Sequence, residues 1–179
     1  MNALANEAVG DYLNDHFYAA AQKVGTFQIV NGQKQGGNVA SYFCTADGLV
    51  LHAVPGPVTA DVFLREARWA VEVHKLAQTD SRGDPLKYRL AVQKAHADRL
   101  REESGVVLFG RRLPRSAAPV VPSDQILFMP PVAGLGNQGK VHALLATYPL
   151  PKLTDLYPIV WERVLGERVS LAPVKVAKN

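Results

Sequence analysis

The chain has 179 residues, 47% of them hydrophobic and 20% charged, enough for one domain with a real core and too apolar for wholesale disorder. Lys and Arg total 20 against 16 Asp and Glu, and this net charge of +4 is too small an excess to demand nucleic acid. A single cysteine excludes an intrachain disulfide and a four-cysteine zinc site, and no apolar run approaches the roughly 20 residues a membrane helix needs.

From the N-terminus, Leu4, Val9, Tyr12, Leu13 and Phe17 recur at roughly helical spacing and predict an amphipathic helix over 3–16, weakened by Gly10. YAAAQKV, TFQIV, NVASYFC and LVLHAV follow, parted by Gly25, by NGQKQGGN and by TADG, and read as up to four strands. TADG is the tightest turn signal, because Gly48 suits the left-handed conformation. Two hairpin registers are open. A two-residue loop puts Cys44 and His52 on opposite faces, whereas a bulged loop of Ala46, Asp47 and Gly48 opposes Cys44 to Val50 and leaves His52 diagonal on the same face.

Thr59 is the expected N-cap of a helix running to about Ala77, which QTDSRG ends. Asp84 before Pro85 marks the start of a second helix to about Glu103, with a stripe of Leu86, Leu90, Gln93, Ala97 and Leu100. VVLFG reads as a fifth strand and RRLPRSAAPVVPSD as an irregular basic connector. Two shorter helices are expected near 138–147 and 154–165, joined by YPLPKL, and the tail APVKVAKN is expected to fray.

The order of LNDHF, strand, loop, strand, TADG, strand and PGPVTADVFLREA resembles the distal half of thioredoxin-like domains over about residues 11–77. The resemblance implies an α/β fold: a thioredoxin-like small sheet with a hairpin and flanking helices over residues 1–79. Residues 80–179 then form a helical extension with a Pro-rich connector. It implies no dithiol chemistry in this chain, which lacks the family's Cys-x-x-Cys and reads GGNVA where a cis-proline would precede the hairpin.

The implied role is therefore a non-catalytic binding or assembly domain. Its partner is a protein or a second copy of the chain, docked on a sheet edge left without its usual neighbour. The alternative is a thiol oxidoreductase, either using Cys44 alone or lacking an upstream redox motif; a free cysteine in an apolar strand ordinarily packs as a small hydrophobe. A further alternative is anion or nucleic-acid binding through Arg111, Arg112, Arg115, Gly139 and Lys140, the last two from GLGNQGK. Against a nucleotide loop, Val141 stands where a Ser or Thr would hold magnesium, and Arg111–Arg115 lacks interleaved aromatics for stacking. GLGNQGK reads instead as a plain glycine loop capped by Asn137.

His16, His52, His74, His96 and His142 are scattered along the chain without H-E-x-x-H or cysteine pairing, so neither a metal site nor a cofactor is expected. Trp69 and Trp161 read as helix-contact residues. MNALANEAVGDYL has neither a basic nor an apolar leader region, and with the thiol count this gives a cytoplasmic default, export remaining open if a segment was removed.

Overall fold

The computed structural model describes residues 3–22, 28–30, 33–35, 38–108, 130 and 133–167, and for 28–30 and 33–35 only the backbone pairing. A 3-10 turn at Ala3–Ala5 precedes α1 (Glu7–His16), whose N-cap Asn6 accepts the Val9 amide. β1 (Gln28–Val30) and β2 (Gln33–Gln35) form one antiparallel pair, β3 (Ala40–Cys44) and β4 (Val50–Pro55) another. α2 (Ala60–Ser81), α3 (Pro85–Ser104), α4 (Asn137–Thr147) and α5 (Leu153–Ile159) complete the fold, a π-helical turn at Val160–Val164 continuing α5. The architecture is mixed α/β, and no helix among the described residues is long and apolar enough to cross a membrane.

Local chemistry accounts for the long helices. The Thr59 hydroxyl accepts the Val62 amide at the start of α2, and the Asp84 carboxylate accepts the amides of Leu86 and Lys87 at 2.9 and 3.1 Å ahead of Pro85. α2 runs four residues past the expected stop, through QTDS, and ends only where Arg82 and Gly83 turn left-handed; the expected boundary at 79/80 therefore falls inside a helix. α3 ends at Gly105, φ 69°, the left-handed position that favours glycine.

Several sequence expectations are corrected. Tyr18–Gln22 of YAAAQKV carries no strand, and Tyr18 is fully exposed, so nothing is there to pair it or bury it. NGQKQGGN, read as a loop, contributes β2, with Val30 opposite Gln33 across Asn31-Gly32, a dipeptide suited to a two-residue hairpin turn. Val106–Leu108 of VVLFG is not a strand. The last helix stands where it was expected but changes from α to π winding at Val160, with Pro158 inside α5 unable to donate its backbone hydrogen bond. Gly136, without a side-chain cap, stands where Asn137 was expected, and Asn137 is the first helical residue of α4. The basic connector and the tail lie outside the described residues.

The hairpin register is neither of the two simple ones. Cys44 opposes Val50, as the bulged loop requires, but Phe43 opposes His52, so Leu51 is an extra residue on β4. That bulge reverses the side-chain alternation. Val50 and Ala53 lie with Val141, Leu144, Leu145 and Leu156 on one side of the hairpin, whereas Val54 and Phe43 lie with Phe63, Ala67 and Ala70 on the other. Without the bulge, His52 would share the face of Val50. With it, His52 stacks near Phe43, 6.2 Å between ring centres, and turns toward α2.

β4 is buried along its whole length and its free edge is covered. The Val50 amide donates to the Pro151 carbonyl at 2.8 Å, the Leu51 carbonyl accepts from His96, and the Ala53 carbonyl accepts from Gln138. Side chains from α3 and α4 thus stand in for a neighbouring strand. The other edge of the pair, along β3, meets no strand among the described residues.

Candidate metal centre

Three of the five scattered histidines meet where α2, α3 and α4 converge on β4. His52 from β4, His96 from α3 and His142 from α4 are each 0% exposed, and one ring nitrogen from each lies within 4.8 Å of the other two. Their ring centres are 5.1 to 5.6 Å apart, and Trp69 of α2 presents itself edgewise to all three at 4.7, 4.9 and 5.3 Å. Spacing along the chain carries no metal-ligand pattern for these three; their convergence is in space, and it places three imidazoles where an ion could be held.

Hydrogen-bond partners settle the tautomers. The Leu51 carbonyl, 2.9 Å from His96 Nε2, can only accept, so that nitrogen carries the proton and a neutral His96 presents a lone pair at Nδ1. The Glu66 carboxylate lies 3.0 Å from His52 Nε2 and accepts its proton, while the Gln138 amide nitrogen, 3.3 Å from the same atom, donates to the Ala53 carbonyl, leaving the lone pair of His52 at Nδ1. His142 Nδ1, 3.0 Å from His96 Nδ1, then donates to it, which leaves the lone pair of His142 at Nε2. His52 Nδ1 and His142 Nε2 are buried without any partner.

Around this cluster is a charged shell. Glu66, 1% exposed, accepts from His52 with one oxygen and from Arg99 Nη2 at 2.7 Å with the other, and Arg99 Nε also donates to Glu103 at 2.7 Å. Arg65, largely solvent-exposed, reaches Glu66 at 3.4 Å. Arg99 stacks its guanidinium 4.7 Å from the Trp69 ring centre, closing the cluster from an open groove of about 520 Å³ on the α2 side.

Burial would raise the Glu66 carboxyl, but hydrogen bonds from His52 and Arg99 outweigh it and hold the group down at about 2. Burial pushes all three histidines down, His96 to about 3, because each lacks water to solvate an imidazolium and Arg99 adds like charge. The direction favours the neutral ring, the form in which imidazole binds metal.

The arrangement matches what a metal-binding histidine needs beyond its ligating nitrogen. His96 and His52 each donate their other ring proton, one to a backbone carbonyl and one to a carboxylate, which fixes tautomer and ring orientation. An ion with bonds of about 2.0–2.1 Å sets its nitrogens about 3.3 Å apart in a tetrahedron. The Nδ1 atoms of His96 and His142 at 3.0 Å are already near that spacing; an ion there would take the place of the proton between them, His142 then carrying its proton at Nε2.

The residues singled out from sequence do not join this centre. Cys44 is half-buried against the Val50 and Leu144 side of the hairpin, and burial pushes its thiol up to about 11, away from the thiolate that redox chemistry uses. Gly139 and Lys140 lie in the first turns of α4, and a Cβ on Gly139 would rest 3.4 Å from Leu135. Arg111, Arg112 and Arg115 lie outside the described residues. His74 pairs with Tyr88 at 2.6 Å, an α2–α3 link apart from the cluster, and Trp161 is buried in the π turn.

A signal for the missed residues was present in the periodicity. Tyr88, Val92, His96 and Leu100 form the inward stripe of α3 at spacings of four, whereas Leu90, placed in the expected stripe, is 43% exposed. Glu66 interrupts the buried run Phe63, Ala67, Ala70 of α2, and His142 lies between buried Val141 and Ala143. Each is a polar residue where burial calls for an apolar one. No family model, curated protein or solved structure matches the chain.

Proposed function

We propose that this protein is a metal-binding domain that takes one borderline divalent ion, of the zinc or cobalt class, on His52, His96 and His142. The observation that carries this reading is the convergence of three buried, neutral imidazoles with nitrogens within 4.8 Å. Imidazole donors suit such ions better than magnesium or calcium, which select oxygen. A purely structural network explains the cluster less well, because it leaves His52 Nδ1 buried without a partner, at about 1–3 kcal/mol. The test is titration of the metal-stripped protein with Co2+. Visible bands of tetrahedral intensity should saturate at one ion per chain, collapse on adding Zn2+, and be missing from His142→Ala. Absence of bands together with no ion retained after dialysis ends the reading.

A second reading, assembly through the sheet edge in the manner of a thioredoxin-like binding domain, is favoured by β3, whose outer edge meets no strand among the described residues. Another copy of the chain is the occupant it expects. Light scattering should then give a dimer whose Ala40–Cys44 amides exchange slowly, and a strict monomer with fast exchange at those amides would reject it.

A further inference from the structure

Resting on the metal-binding reading, we infer that the ion's fourth position is left open by the protein and takes a small anion, with Arg99 as the residue that holds it. The first argument is the commitment of the other groups. Both oxygens of Glu66 are engaged, Oε2 by His52 and Oε1 by Arg99, so the nearest carboxylate serves as an outer partner and not as a fourth ligand. The Leu51 carbonyl accepts from His96 and the Ala53 carbonyl from Gln138. Among the described residues, no cysteine, aspartate, glutamate or further histidine joins these three as a ligand group. Three protein ligands with one position left over is the pattern of reactive rather than structural zinc sites.

The second argument is charge. Three neutral imidazoles bring none, and the Arg99 guanidinium is held between the carboxylates of Glu66 and Glu103. A dication entering this set leaves one positive charge in a site where all three ligands are fully buried. Burying an uncompensated charge is costly, and one monoanion on the ion removes it.

The third argument is a donor with nothing to do. Arg99 Nη1 is buried and has no hydrogen-bond partner, although Nη2 and Nε of the same guanidinium are both paired. Arg99 and Trp69, stacked on each other, line the open groove between α2 and α3, and Trp69 in turn contacts all three histidine rings.

Azide added to the Co2+-loaded protein tests this. It should shift the visible bands saturably, with one azide per cobalt. Arg99→Lys, which keeps the positive charge but not the fork of donors, should bind azide about tenfold more weakly or worse while the cobalt bands persist. Cobalt bands that do not respond to saturating azide overturn the open position while leaving the metal reading standing. Equal azide affinity in Arg99→Lys removes Arg99 from the role, and failure to form cobalt bands in the unaltered protein sinks the metal reading itself.

Discussion

Zinc at a free concentration about a hundred times its Kd should raise the melting temperature of the metal-stripped protein by about 5–10 °C. Binding to the folded state alone stabilises by about 2.7 kcal/mol at that ratio, and a chain of this length gains about 2–4 °C per kcal/mol. The unfolded chain offers no comparable competitor, because His52, His96 and His142 are separated by more than forty residues in each interval and no local pair binds both ends. His96→Ala should abolish the shift. It should also lower the melting temperature of the metal-free protein, because the Leu51 carbonyl loses its donor and β4 its edge cover, a cost of about 1–3 kcal/mol. His74→Ala provides the contrast: its ring pairs with Tyr88 outside the cluster, so the zinc shift should survive intact. A zinc shift of equal size in His96→Ala and His74→Ala would place the ion elsewhere and refute the assignment.

Helix starts were legible because their chemistry is local. Thr59 and Asp84-Pro85 cap α2 and α3 where the sequence places them, and TADG turns where Gly48 allows it. The site was not legible, for two physical reasons. A stripe search that counts only apolar residues skips His96 and settles on Leu90, which faces outward, when the inward face is defined by Val92, His96 and Leu100. The direction of His52 depends on a bulge at Leu51, which no local propensity specifies and which reverses the face of every later residue on β4. Histidines 44 and 46 residues apart become neighbours only when the partner elements are docked. The useful lesson concerns polar residues in buried positions: Glu66, His96 and His142 were each visible as an exception to an otherwise apolar surrounding, and the exceptions are what the fold brings together.

Glu66→Leu should destabilise the metal-free protein by about 3–5 kcal/mol, because it leaves the largely buried Arg99 guanidinium with the half-exposed Glu103 in place of its buried partner and His52 Nε2 without its acceptor. Replacing both charges, in Glu66→Leu with Arg99→Met, should recover most of that loss, since an apolar pair of similar volume leaves only the half-exposed Glu103 without its partner. The pH dependence separates this account from simple misfit of a leucine. Glu66 titrates near 2 in the folded protein against about 4.5 unfolded, so its contribution is complete above about pH 4.5 and disappears as the pH falls toward 2. The three histidines are likewise held below 6.5 when folded, so protons favour the unfolded chain as soon as the pH falls below about 6.5. Each such group contributes a slope of at most about 1.4 kcal/mol per pH unit. Urea denaturation of the unaltered protein should therefore show stability falling from pH 6.5 downward, and the gap to Glu66→Leu should narrow below pH 4.5. Metal affinity supplies an independent reading, because Glu66→Gln, nearly isosteric, removes the carboxylate that orients His52 and should weaken Co2+ binding by about 10–100-fold. A gap that stays constant from pH 7 to pH 3, with Co2+ affinity unchanged in Glu66→Gln, would mean that Glu66 fills space at this position and neither pairs with Arg99 nor orients a ligand.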